Sequence, residues 1–199
     1  RSLLDKFFDD EEFVKKFCRA PCARRIHHAY LGGLLEHVTE VIVLCQAVLG
    51  LFPQIDRDLL LTGAILHDVG KIREFVYQTE IDYSDEGRLW GHMVIGDRLI
   101  SERVAQIPDF PPELAMRLRH MVLSHHGRHE WGSPRRPKTL EACALHYIDN
   151  LDAQVNRFAQ IIAARRDKTK PWTEYDTLLK RYLYAGKEGL AVEEAAQLE

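Results

Sequence analysis

Residues 58–71 read Asp58-Leu59-Leu60-Leu61-Thr62-Gly63-Ala64-Ile65-Leu66-His67-Asp68-Val69-Gly70-Lys71. An apolar helical run ends there in an imidazole and a carboxylate side by side, two groups able to bind one metal ion. Asp56 is placed as the N-cap of this helix, which is expected to run to about Val69 with Gly70 as its C-terminal stop. Further ligand-type residues lie along the chain at His37, His92, His125-His126 and Asp149. In order they read H…HD…H…HH…D, enough nitrogen and oxygen donors for two metal ions that share Asp68. Gathering so many ionisable groups in one interior is costly unless each charge is compensated, and a bound cation is the natural compensation.

Helical periodicity dominates on both sides of this run. Residues 3–18 place Leu4, Phe7, Phe8, Phe13, Val14 and Phe17 largely at i, i+3 and i+4 spacings. Gly32-Gly33 precedes a second helix over about residues 34–50, whose inner face carries Leu34, Val38, Val41, Leu44, Cys45 and Val48. Over residues 73–88, Phe75, Tyr77, Ile81 and Tyr83 alternate loosely and Ser84-Asp85-Glu86-Gly87 reads as a turn, which predicts a short hairpin or an ordered loop. Helix returns over about 89–106, ends before Pro108, and restarts after Pro111-Pro112 to reach Ser124. Residues 127–138 form a loop, and Thr139 caps a long helix to about Arg165. A last amphipathic helix is expected over about 173–185. The sum is an almost all-α bundle, one domain over 1–199 with its core in about 20–165, its site built from facing helices.

The net charge of −3 gives no global pull toward nucleic acid or anionic membranes, so RNA or nucleotide binding must come from a local field. No apolar run reaches the ~20 residues that span a bilayer, and there is no signal peptide. Cys18 and Cys22 are spaced x3, but no second pair or nearby His completes a tetrahedral site. Cys45 and Cys143, among Val, Leu and Ala, read as small core residues. Ten histidines and reduced-looking cysteines fit a cytoplasmic protein. The chain starts at Arg1 inside an already periodic segment, as a piece of a longer protein would.

Taken singly, each His is more often a hydrogen-bonded core residue than a ligand. That applies to His37 on an inner helix face, to His92 after Leu89-Trp90-Gly91, and to His125 at a helix end. Asp149 follows Leu145 and Ile148 on an apolar stripe, where a carboxylate needs a partner, an Arg or an ion. Taken jointly, the ordered set reads as a metal site. Imidazole with carboxylate and no thiolate suits Fe, Mn, Zn, Ni or Co better than Mg or Cu(I), and residue spacing does not choose among them.

The set His37, His67-Asp68, Asp149 resembles the HD superfamily of metal-dependent phosphohydrolases, and His92 with His125-His126 adds what its dinuclear members carry. Three longer stretches are similar to the HD part of the YhaM-type 3′→5′ exoribonucleases: Ile26 to His37, Asp58 to Lys71, and Ser124-His125-His126-Gly127 through Gly132-Ser133-Pro134. Leu145 to Asp152 is similar as well, and the resemblance covers about residues 1–165. It implies that His37, His67, Asp68 and Asp149 hold one metal ion. Asp68, His92 and His125 would hold a second, with His126 beside them. Lys71 would reach a phosphate oxygen, unless it is a surface lysine favoured by a helix dipole. Asp152 would meet substrate or orient a ligand. An OB-fold domain usually precedes the HD domain in that family and would carry much of the RNA affinity. No stretch of this chain resembles one.

Two cations bridged by Asp68 would share a water and lower its pKa, making hydroxide available near neutral pH for attack on phosphorus. A single-stranded RNA 3′ end would then yield nucleoside 5′-monophosphates. In the 127–138 loop, Trp131 would stack a base while Arg135 and Arg136 meet phosphates, with Arg128 a further substrate contact; the bland alternative is a solvated loop around a buried aromatic. Rival readings are a di-iron HD-type oxygenase, inositol oxygenase being the familiar case, and a nucleotidase acting on small nucleotides. A cyclic-dinucleotide phosphodiesterase of the HD-GYP kind ranks lower, because Gly127 to Pro134 lacks the Gly-Tyr-Pro element. A scaffold with a relic site ranks last, and a homo-oligomer is left open.

Overall fold

The computed structural model describes residues 3–24, 29–77 and 80–186; His27 and His28, part of the YhaM-like stretch, lie outside them. The chain falls into two compact units, Arg1–Asp152 and Ala153–Glu199. The first unit opens with two helices where the periodicity predicts a single run, α1 (Leu3–Phe8) and α2 (Glu11–Arg19). Asp10 makes the break, because its Oδ1 accepts from the backbone N–H groups of Glu12 and Phe13, both at 3.1 Å, and so caps α2. The aromatic face survives, with Phe7–Phe13 and Phe13–Phe17 ring centroids 5.0 and 5.6 Å apart.

Helix α3 (Gly33–Leu51) packs on α4 (Arg57–Leu66), burying Leu34, Val38, Val41 and Cys45 against Leu59, Leu60, Ala64 and Leu66. Asp56 caps α4 as expected, its Oδ1 accepting from Leu59 N at 3.1 Å. The helix ends at Leu66 rather than Val69, and Gly70 is no left-handed stop: its φ is −63° and it begins a short helix, α5 (Lys71–Glu74). Gly70 is required for closeness instead. A Cβ there would lie 2.0 Å from the carbonyl oxygen of His92.

The hairpin expected near residues 73–88 is present as β1 (Phe75–Tyr77) and β2 (Ile81–Tyr83), in antiparallel register Phe75↔Tyr83, Val76↔Asp82 and Tyr77↔Ile81. Ser84 is not its turn. Its Oγ accepts from Gly87 N at 2.9 Å and starts α6 (Asp85–Val104) four residues before the position periodicity gives. This helix is kinked at Gly91, whose φ of 71° and ψ of 159° lie in a region open to glycine and little else. Helix α7 (Pro112–Ser124) follows, then a 3₁₀ turn over His129–Trp131 within the 127–138 loop. Helix α8 (Leu140–Ala163) is capped by Thr139, whose Oγ1 accepts from Ala142 N at 3.2 Å. Among the described residues, α3 is the one helix long and apolar enough to cross a membrane. His37, Glu36 and Glu40 within it would be costly in hydrocarbon.

Two further expectations are overturned. Cys143 is exposed rather than a core residue. Residues 173–185, in the second unit, are not helical. Trp172 bridges Tyr184 and Asp176 bridges Arg181 in antiparallel fashion, with the Trp172–Tyr184 and Tyr175–Tyr182 rings paired at 5.0 and 5.2 Å. Asp176 Oδ1 accepts from the backbone of Leu178 and Leu179, a local turn that competes with helix. Trp172, Tyr175 and Leu178-Leu179 are spaced three or four apart and imitate a helical stripe, but the aromatic pairs that form, Trp172–Tyr184 and Tyr175–Tyr182, face one another across a turn.

Candidate metal centre

Five imidazoles and two carboxylates gather in one interior region of the first unit, and each imidazole is held from behind. His37 on α3 directs Nδ1 at Asp152 Oδ2, 2.8 Å away. His67 and His125 close α4 and α7, and each places Nδ1 on the carbonyl three residues back, Ala64 O at 2.8 Å and Val122 O at 2.7 Å. Those carbonyls are among the last of a helix, which have no partner within it, so the ring serves as their cap. His92 follows the Gly91 kink. Its backbone N–H and its Nδ1 both meet Glu74 Oε1 at 3.0 Å, so one buried carboxylate caps the restarted helix and fixes the ring. His126 places Nδ1 on Trp131 O at 2.9 Å.

Every one of these partners is an oxygen that only accepts. The proton therefore sits on Nδ1, and in the neutral ring Nε2 keeps its lone pair. The Nε2 atoms converge. Those of His37 and His67 are 3.2 Å apart, and Asp149 Oδ1 lies 3.3 and 3.7 Å from them. Asp68 Oδ2 joins this group at 3.6 Å from His37 and 3.5 Å from His67. The other oxygen, Oδ1, faces the opposite way, 3.5 Å from Nε2 of both His92 and His125. His126 belongs with that second group: one ring nitrogen each of His92, His125 and His126 lies within 4.8 Å of the others.

These separations suit cations. Bonds of about 2.0–2.2 Å meeting at right angles to trigonal angles leave ligand atoms ~3.0–3.7 Å apart. Asp68 Oδ1, His92 Nε2 and His125 Nε2 are also buried without a hydrogen-bond partner, a costly state for three polar atoms aimed at one spot. The donor set of neutral imidazole and carboxylate fits a divalent first-row ion.

The electrostatics follow the same layout. Burial opposes charge on His37, yet Asp149 and Asp152 outweigh it and hold its pKa well above that of an ordinary imidazole. Burial likewise opposes ionisation of Asp68 and Asp149. The Lys71 ammonium and His67 hold Asp68 well below the usual carboxylate range, and His37 with His67 does the same for Asp149. Burial, then His125 and His92, push His126 down to about 3, which keeps it neutral and able to donate a lone pair.

Lys71 is tied into the centre, with Nζ 2.5 Å from Asp68 Oδ2. Asp152, expected at the substrate, is instead buried behind His37, which corresponds to its orienting role. Arg128, Arg135 and Arg136 are exposed on the loop. Trp131 is 46% exposed rather than buried, and the Arg128 guanidinium lies 4.9 Å from its ring centroid. Sequence reasoning missed two residues. Glu74, between Arg73 and Phe75, reads as a surface acid; only its place three residues after Lys71 hinted at an inward face. Cys22 is buried with Sγ 3.8 Å from Asp68 Oδ2 and 3.3 Å from Lys71 Nζ. Burial pushes its thiol pKa up.

Comparison with known proteins bears on the family of the chain. The HD domain profile matches residues 34–154. The 3'-5' exoribonuclease YhaM of Bacillus licheniformis is 40% identical over 164 residues, 82% of this chain and 51% of that protein. The YhaM proteins of Geobacillus sp. and Bacillus subtilis are each 41% identical, over 81% and 80% of this chain and 48% and 50% of their own lengths. The chain thus spans about half the length of the curated relatives it matches. No solved structure matches it.

Proposed function

Because the chain belongs to the HD domain family, we propose that it is a metal-dependent phosphohydrolase that shortens single-stranded RNA from its 3′ end, releasing nucleoside 5′-monophosphates. The observation that carries this reading is the division of Asp68: one oxygen faces His37, His67 and Asp149, the other His92 and His125. Such a carboxylate suits two divalent cations, drawn from Fe, Mn, Zn, Ni and Co. Cations held there supply Lewis acidity toward phosphoryl oxygens and lower the pKa of bound water.

The chain's own groups do the rest. Asp152 and Glu74 lock two imidazoles by charge-assisted bonds, and helix-end carbonyls lock two more. Lys71 places a positive charge at the edge of the centre, where it can meet a phosphate oxygen. Next to His125 and His126, the exposed Trp131 offers a stacking face to a base. Arg128, Arg135 and Arg136 supply the local positive field that the net charge of −3 lacks. The exoribonuclease names of the relatives support RNA as the substrate, and their greater length accommodates an OB-fold domain beside this one.

The test is a 5′-labelled single-stranded RNA incubated with metal-stripped protein to which Mn2+ is restored. The expected result is a ladder shortened from the 3′ end with 5′-monophosphates accumulating, absent in Asp68→Ala. Metal uptake with no phosphoester cleaved, in RNA, DNA or nucleotides, would refute the proposal.

A further inference from the structure

Cys22 is packed on this centre, and the proposed function does not use it. It sits just beyond α2, 15 residues before His37 and 46 before Asp68, and the fold carries its sulfur into their midst. Its Sγ, an Nε2 or Nδ1 of His37 and an oxygen of Asp68 all lie within 4.8 Å of one another. All three residues are 1% exposed. The sulfur lies on the Oδ2 side of Asp68, the side shared with His37, His67 and Asp149. Metal–sulfur and metal–oxygen bonds of about 2.3 and 2.1 Å at angles near 110–120° leave the two ligand atoms ~3.6–3.8 Å apart. The Sγ to Oδ2 separation is 3.8 Å. The other oxygen of that carboxylate, Oδ1, is buried with no hydrogen-bond partner and faces the second position.

We propose that Cys22 is a sulfur ligand of the cation held by His37, His67, Asp68 and Asp149, and that it biases this position toward thiophilic divalent ions. The proposal rests on the dinuclear reading and deepens it. On binding, a metal–sulfur bond forms, the S–H bond breaks, and the proton leaves to the buffer. The Lys71 ammonium, 3.3 Å from the sulfur, remains as a donor to the coordinated atom. Polarisable sulfur favours Zn2+, Co2+, Fe2+ and Cd2+, whereas Mn2+ gains little from it. The remaining ligands, all nitrogen and oxygen, have no such preference.

The experiment loads the metal-stripped chain with Co2+ under anaerobic conditions. Wild type is expected to show a near-ultraviolet sulfur-to-cobalt charge-transfer band. That band disappears in Cys22→Ser and persists in Cys18→Ser, which controls for the exposed thiol. Cd2+ affinity should fall roughly tenfold or more in Cys22→Ser, while Mn2+ affinity changes by less than about threefold. Should the Cys22 variant fail to fold, X-ray absorption of zinc-loaded wild type decides alone: a sulfur neighbour at ~2.3 Å is required. Co2+ bound with only nitrogen and oxygen neighbours overturns the role of Cys22 and leaves the dinuclear reading intact. Failure of wild type to bind Co2+ at all overturns both.

Discussion

Replacing Glu74 by Gln separates the two halves of the centre. Glu74 is 6% exposed and grips His92 through three contacts: Oε1 to the backbone N–H and to Nδ1, each at 3.0 Å, and Oε2 to Nδ1 at 3.1 Å. Gln keeps the volume and one accepting oxygen but sets an N–H donor against the ring N–H where Oε2 stood. A hydrogen bond to a charged group contributes about 1.5–3 kcal/mol. Outer partners of a metal-bound imidazole are independently worth about 10–100-fold in affinity. That range is ~1.4–2.7 kcal/mol, so the two figures agree. The loss should fall on one position alone, because His37 and Asp152 on the other side are untouched. Titration of metal-stripped protein with Zn2+ against a competing chelator reads both steps. Taking the position with fewer charged partners, that of His92 and His125, as the weaker step, we expect it to drop by roughly 10–100-fold and the stronger by less than about threefold. An unchanged weaker step, or equal loss at both, would refute the claim that Glu74 acts through His92.

Asp68→Ala should empty both positions, read as metal content per chain after desalting; one ion retained at full affinity would contradict a shared carboxylate. Arg135→Ala with Arg136→Ala should reduce turnover of RNA roughly tenfold while a small chromogenic diester is nearly unaffected, and equal losses would free the loop of any role in gripping polynucleotide. The pH behaviour of the metal-free protein follows from opposite shifts. His37, raised above its ordinary 6.5, contributes stability that is complete below that value and fades as pH climbs through its folded pKa. Asp68 and Asp149, depressed, contribute stability above 3.8 that is lost as pH falls through their folded pKa values. Loading at neutral pH must then expel about one proton from His37, besides the one that leaves the Cys22 thiol. Calorimetry of Cys22→Ser in two buffers of different ionisation heat detects it, and identical heats would show His37 to be uncharged beforehand.

Much of the centre was legible because its residues break an otherwise apolar period. His67-Asp68 closes an apolar run, His37 sits one turn from Leu34 and Val41, and Asp149 follows Leu145 and Ile148. Such placements are physically expensive and so stand out. Glu74 was illegible for the converse reason: it lies in a short mixed segment where no period marks the inside, and its burial depends on α6 folding over it. Cys22 was weighed against local spacing rules, whereas its partners come from distant turns. Helix ends were misplaced where a side chain competes with the backbone, at Asp10, Ser84 and Asp176. Periodicity reports which face is buried and is silent on such local bonds.

His67 and His125 each finish a helix, cap its last turn through one ring nitrogen and present the other to the centre. Backbone opening at the carboxyl ends of α4 and α7 and release of an ion are therefore one equilibrium. Amide exchange around Gly63–Leu66 and Leu118–Val122 should slow as cations are taken up, and a chelator should act on this fold much as urea does.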